Sequence, residues 1–113
     1  MSLTALGNAR ALSKPAKTIA SAATLILELG VANYSITGST PVTSIPTDSY
    51  ASAGRKIMFT GATGAAAVFT NTNSPTVAGQ MNLHGSNVTL LEGDVLILEL
   101  QTNRTWNRVV MSI

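Results

Sequence analysis

NLHGSNVTLLEGDVLILEL, residues 82–100, holds the chain's only histidine together with Glu92 and Asp94, and it admits two readings. In the first, His84, Glu92 and Asp94 gather around a metal or a substrate. In the second, two short strands meet at a turn that the acids simply mark. Glu92 and Asp94 flank Gly93, and glycine accepts the positive φ a tight β-turn requires while Asp tolerates it. A glycosidase needs two carboxylates facing each other across a cleft, not side by side in one turn. A Ca²⁺ ion asks for about six to eight oxygens, more than this turn offers. His84, just before Gly85, suits a turn or strand end. The stretch therefore reads as a hairpin, and the rest of the chain is read outward from it.

The flanking segments share its β grammar. TLILELG (24–30) alternates Leu25, Leu27 and Leu29 with Ile26 and Glu28, the two-residue period of a strand. NYSITGST (33–40), VTSI (42–45), RKIMFTG (55–61), AAVFTN (66–71), QMNLHG (80–85) and WNRVVMSI (106–113) extend the series. PTDSYASAG (46–54) and TNSPTVAG (72–79) are loops by composition. About eight or nine short strands at such spacing predict a sandwich or barrel. The expected fold is all-β: an antiparallel β-sandwich, jelly-roll-like, occupying residues 19–113.

Residues 1–18 stand apart. They mix small residues with Leu3, Leu6, Leu12, Arg10, Lys14 and Lys17, and Pro15 stops any helical turn that precedes it. The segment is too short and too weakly apolar to build a core of its own. It reads as an extended N-terminal arm. Its leucines and its cations Arg10, Lys14 and Lys17 are the candidate partner-binding residues.

Composition excludes several functions. Only 11% of the 113 residues are charged, against about 25% in an average soluble domain. The net charge is +2, aromatics are 4%, and no basic stripe carries interleaved aromatics, so no nucleic acid is expected as partner. With no cysteine, neither disulfides nor thiolate metal sites are available. No apolar run approaches the roughly 20 residues of a membrane span, and the N-terminus lacks the pattern of a secretory signal. The sequons at Asn33, Asn87 and Asn103 are ordinary for a chain rich in Asn, Ser and Thr.

Three further patterns suggest chemistry and lack its context. IMFTGATGAAAV (57–68) runs from a strand into Gly61-x-x-Gly64, like a dinucleotide-binding turn. That motif needs a helix next, yet Val68, Phe69, Thr70, Asn71 and Thr72 follow, so the segment reads as a glycine-bearing hairpin turn. No Gly-x-Ser-x-Gly elbow presents a nucleophile to the lone histidine. Trp106, between Arg104 and Arg108, suits a core or sheet-edge position better than a stacking platform, which takes more than one aromatic. No catalytic, cofactor or metal residues are assigned, and no enzyme is expected.

From residue 18 onward the order of segments resembles small structural proteins of tailed bacteriophages. It is carried by Thr18-Ile19, YSITGSTPVTSIP, Gly54-Arg55-Lys56, Asn87-Val88-Thr89, Gly93-Asp94 and Trp106. The resemblance implies a non-enzymatic virion protein: a capsid decoration (cement) protein on the outer capsid surface, with the major capsid protein as partner. A tail or head fibre module binding a host-surface glycan is the alternative. A charge-poor, apolar chain of this size is also expected to form a homo-oligomer, a trimer in preference to a dimer.

Overall fold

The computed structural model describes residues 15–47 and 52–113. Among them every regular element is a strand: β1 (Lys17–Ala20), β2 (Asn33–Thr37), β3 (Lys56–Gly61), β4 (Ala66–Phe69), β5 (Met81–Asn82), β6 (Val88–Leu91), β7 (Val95–Leu100) and β8 (Trp106–Ser112). Alternation sets the inward faces. Tyr34 and Ile36 on β2, Ile57 and Phe59 on β3, Ala67 and Phe69 on β4, Val88 and Leu90 on β6, and Leu96, Leu98 and Leu100 on β7 are all buried.

Two sheets pack against each other. One has six strands in the order β1-β2-β3-β7-β8-β5, and the other pairs β4 with β6. Residues 82–100 do not form the expected hairpin. β6 and β7 are joined by a tight turn, yet β6 pairs with β4 and β7 pairs with β3 and β8. Residues 61–66 behave alike, since β3 and β4 also lie in different sheets. Both turns are corners that carry the chain from one layer to the other. Each closes with a backbone bond from its fourth residue to its first, Asp94 to Leu91 and Ala65 to Ala62, at 3.0 Å. Gly93 and Gly64 hold the third position at φ +83° and +75°, the type II requirement.

The corners stack. Ser21 N–H donates to the Thr37 carbonyl, Ala62 N–H to Ile36, and Ala66 N–H to Gly38. On the second layer, parallel bridges join Thr24 to Ser44 and Val42 to Phe69. The chain thus forms rungs: β1 with Thr24, β2 with residues 42–44, β3 with β4, and finally β6 with β7 running in reverse. β8 and β5 extend the larger sheet beyond the last rung.

This arrangement departs from a jelly roll built of antiparallel sheets. β3/β7, β7/β8 and β4/β6 are antiparallel, but β1/β2, β2/β3 and β5/β8 are parallel. A parallel pair needs a long crossover. Between β1 and β2, and between β2 and β3, the crossover is spent on a second-layer segment, so the chain returns to the first sheet in its original direction.

TLILELG also departs from the expected strand. Thr24 makes one bridge, Leu25 is buried, and the chain turns at Gly30, where Val31 N–H donates to the Glu28 carbonyl. Leu25 N–H still donates to the Ser44 carbonyl at 2.9 Å, and beyond it the segment is held by a side chain. The Tyr34 hydroxyl accepts from Glu28 N–H at 2.8 Å and donates to the Glu28 carbonyl at 3.1 Å. Ile26 and Leu29 are consequently left 67% and 58% exposed.

Between the layers lies one core. Tyr34 stacks on its register partner Phe59 at 5.7 Å, and Phe59 meets Phe69 across the layers at 5.1 Å. Burying each such ring stabilises the fold by about 1.5–3 kcal/mol.

Candidate functional site at the sheet edges

The residues suspected of chemistry are engaged by backbone. His84 sits at φ +62°, its N–H donating to Asn82 Oδ1 and its ring Nε2 lying 3.1 Å from the Arg108 carbonyl. A carbonyl can only accept, so Nε2 carries the proton. Asp94 Oδ2 accepts from Leu91 N–H at 2.9 Å, bracing the corner from within. Glu92 is exposed at the tip of the same corner. Among the described residues no three His, Asp or Glu side chains come together as a metal site would need.

Trp106 is a core residue. It is 1% exposed, and its Nε1–H donates to the Ile45 carbonyl at 2.8 Å, tying β8 to the second layer. Tyr34, Phe59 and Phe69 are buried as well. Two of the sequon asparagines serve turns: Asn87 Oδ1 accepts from Asn71 N–H, and Asn103 Oδ1 accepts from the backbone and hydroxyl of Thr105.

The candidate arm residues Leu3, Leu6, Arg10, Leu12 and Lys14 lie outside the described residues. Lys17 opens β1, and its Nζ stands 2.6 Å from Glu28 Oε2, with both side chains partly exposed. Burial raises the Tyr34 phenol above its ordinary pKa of 10.0, against the lowering effects of its hydrogen bond to the Glu28 backbone and of nearby Arg55. Lys17, Ile19, Ile26, Glu28 and Tyr34 line a hollow of about 240 Å³ beside β1.

Two other features face solvent. An open groove of about 330 Å³ is lined by Asn82, Gln101, Asn103, Thr105 and Asn107 along one flank of Trp106. The second is the far half of β8. β5 covers this strand at Trp106 and Asn107, and from Arg108 onward β7 is its sole strand neighbour among the described residues. Val109, Val110, Met111 and Ile113 are 46%, 43%, 40% and 69% exposed. The sheet therefore has two edges of opposite character. β1 is polar and cationic, whereas β8 is apolar.

Sequence reasoning placed WNRVVMSI on a strand but missed this edge. The available signal was the unbroken apolar run Val109-Val110-Met111, since a strand with one buried face alternates. No protein-family model, curated protein or solved structure matches this chain.

Proposed function

We propose that the chain is a non-enzymatic structural protein of a tailed-phage virion, a decoration protein that sits on the outer capsid surface and fastens neighbouring major capsid subunits. One observation carries this reading: among the described residues the corner-stacked β unit ends in two open strand edges, β1 and the far half of β8. An open edge is an attachment device, because its unpaired N–H and C=O groups accept a strand from another chain. The low charge supports the same reading, since few ions need desolvating in a broad contact. The resemblance of residues 18–113 to phage structural proteins supplies the setting.

In this reading the arm leads into β1 and extends the attachment. Leu3, Leu6 and Leu12 anchor on a capsid subunit or a neighbouring copy, and Arg10 and Lys14 meet its acids. Lys17 belongs to β1 and holds Glu28, so an arm deletion should end before Pro15.

A fibre module that binds a host glycan is the second reading, favoured by the amide-lined groove. The clamp is preferred because Trp106, the aromatic at that groove, is buried and offers no face for stacking a sugar.

Mixing the full chain with capsids that lack it tests the proposal. Saturable co-sedimentation and a higher temperature of DNA release are expected, and deleting residues 2–14 should weaken attachment while leaving the β unit folded. Absence of capsid binding, with binding to host envelope glycans instead, would overturn it.

A further inference from the structure

We propose that residues 109–112 of β8 form a two-fold interface with β8 of a second copy, the two strands pairing antiparallel so that one sheet runs through both molecules. Along β8 the β5 side is closed at Trp106 and Asn107 by β5, and at Arg108 by His84, whose Nε2 meets the Arg108 carbonyl. Beyond that point no strand among the described residues lies on this side. Natural edges are usually blunted by Lys, Pro or inward-pointing charge. Val109-Val110-Met111-Ser112-Ile113 carries none of these, and its one irregularity is a bulge at Val109, where the register with β7 shifts between Ile97 and Leu98.

The exposed side chains specify what fits. Met111 stands opposite Leu96, whose face is buried, and Val110 opposite Ile97 on the other face. An incoming strand must therefore be apolar on both faces. β8 is itself such a strand. β1, the other edge of the sheet, is not: Lys17, Thr18 and Ala20 are exposed and none is large and apolar. A β1–β8 contact between copies would be head to tail, giving a ring or an open filament, whereas β8–β8 closes after two.

Charge agrees with closure. Arg108 is the only charged side chain from residue 107 to 113. A two-fold centred between Val110 and Met111 sets each Arg108 opposite the other copy's Ile113. The two guanidinium groups then lie about 17 Å apart along the strands, beyond a physiological Debye length. Self-association of an apolar chain does not by itself determine an order; a strand edge does, and its order is two.

The inference rests on the open strand edges in the proposed function, not on capsid attachment. A chain that dimerises but ignores capsids would overturn only the capsid reading. A chain that binds capsids yet stays monomeric would overturn only this interface.

Sedimentation equilibrium of the full chain, from micromolar to millimolar, is the test. A reversible dimer is expected, with a dissociation constant raised by about tenfold or more in Val110→Lys and in Met111→Lys, each checked for an unchanged melting profile. Amide exchange in the unaltered chain provides a second readout: protection of residues 109–112 should rise with concentration. A monomer throughout, a trimer, open filaments, a dimer indifferent to both substitutions, or exchange at 109–112 independent of concentration would each overturn the interface.

Discussion

Gly93 donates its backbone N–H to the Gly61 carbonyl at 2.9 Å, which locks the corner between β6 and β7 onto the end of β3. Gly61 N–H in turn donates to the Asp94 carbonyl at the same distance. The antiparallel rung is thereby stitched to the parallel one where the chain changes layers, and the spacing leaves no room for a side chain. A Cβ on Gly61 would collide with the Leu91 carbonyl.

Gly61→Ala should therefore cost about 2–4 kcal/mol, because rigid backbone must move. Gly64→Ala, with open space around it but φ +75°, should cost only about 1–2 kcal/mol. Asn, which tolerates left-handed backbone, should restore most of the loss at position 64 and none at 61. Urea unfolding of the four variants separates steric from conformational cost. Equal losses at both positions would contradict the corner geometry.

Trp106→Phe should destabilise the fold by about 1–3 kcal/mol, since it leaves the Ile45 carbonyl without its donor in the core. The native chain should show blue-shifted tryptophan emission resistant to iodide, shifting red on unfolding. Emission typical of exposed indole in the native state would contradict the placement of β8 against the second layer.

Asp94→Ala should cost about 1 kcal/mol through loss of the acceptor for Leu91 N–H, while Asp94→Asn, which keeps an acceptor, should cost less. Thermal melts decide between this turn-bracing role and a free carboxylate, for which the two variants would behave alike.

Tyr34 makes stability depend on alkaline pH. Its folded pKa lies above 10.0, so neutral phenol is favoured in the folded state. The stabilisation is complete below the unfolded pKa and is lost as pH rises through the folded one. Denaturation midpoints should fall above pH 10, and Tyr34→Phe should flatten that part of the profile while lowering stability at neutral pH. A fall of equal size in the variant would assign the effect elsewhere.

Most strands were legible because one-face burial writes a period of two into β2, β3, β4, β6 and β7. The pairing was not. Leu91-Glu92-Gly93-Asp94 encodes a tight turn, but a turn carries no record of which sheet its strands join, so a corner was read as a hairpin. TLILELG alternates like a strand, yet its backbone pairing stops at Leu25 and Glu28 is held by a hydroxyl supplied by Tyr34, six residues on. The engagement of His84 and Asp94 in turns followed from the glycines beside them. The β8 edge did not, because exposure of Val110 and Met111 depends on β5 stopping after Asn82.

A cryo-EM map of the phage particle that carries this chain tests the capsid assignment most directly. The account predicts density for the two-layered β unit on the outer shell, seated across a contact between major capsid subunits, with residues 1–14 running onto one of them. Density confined to a tail or head fibre, or an outer shell without this unit, would contradict it.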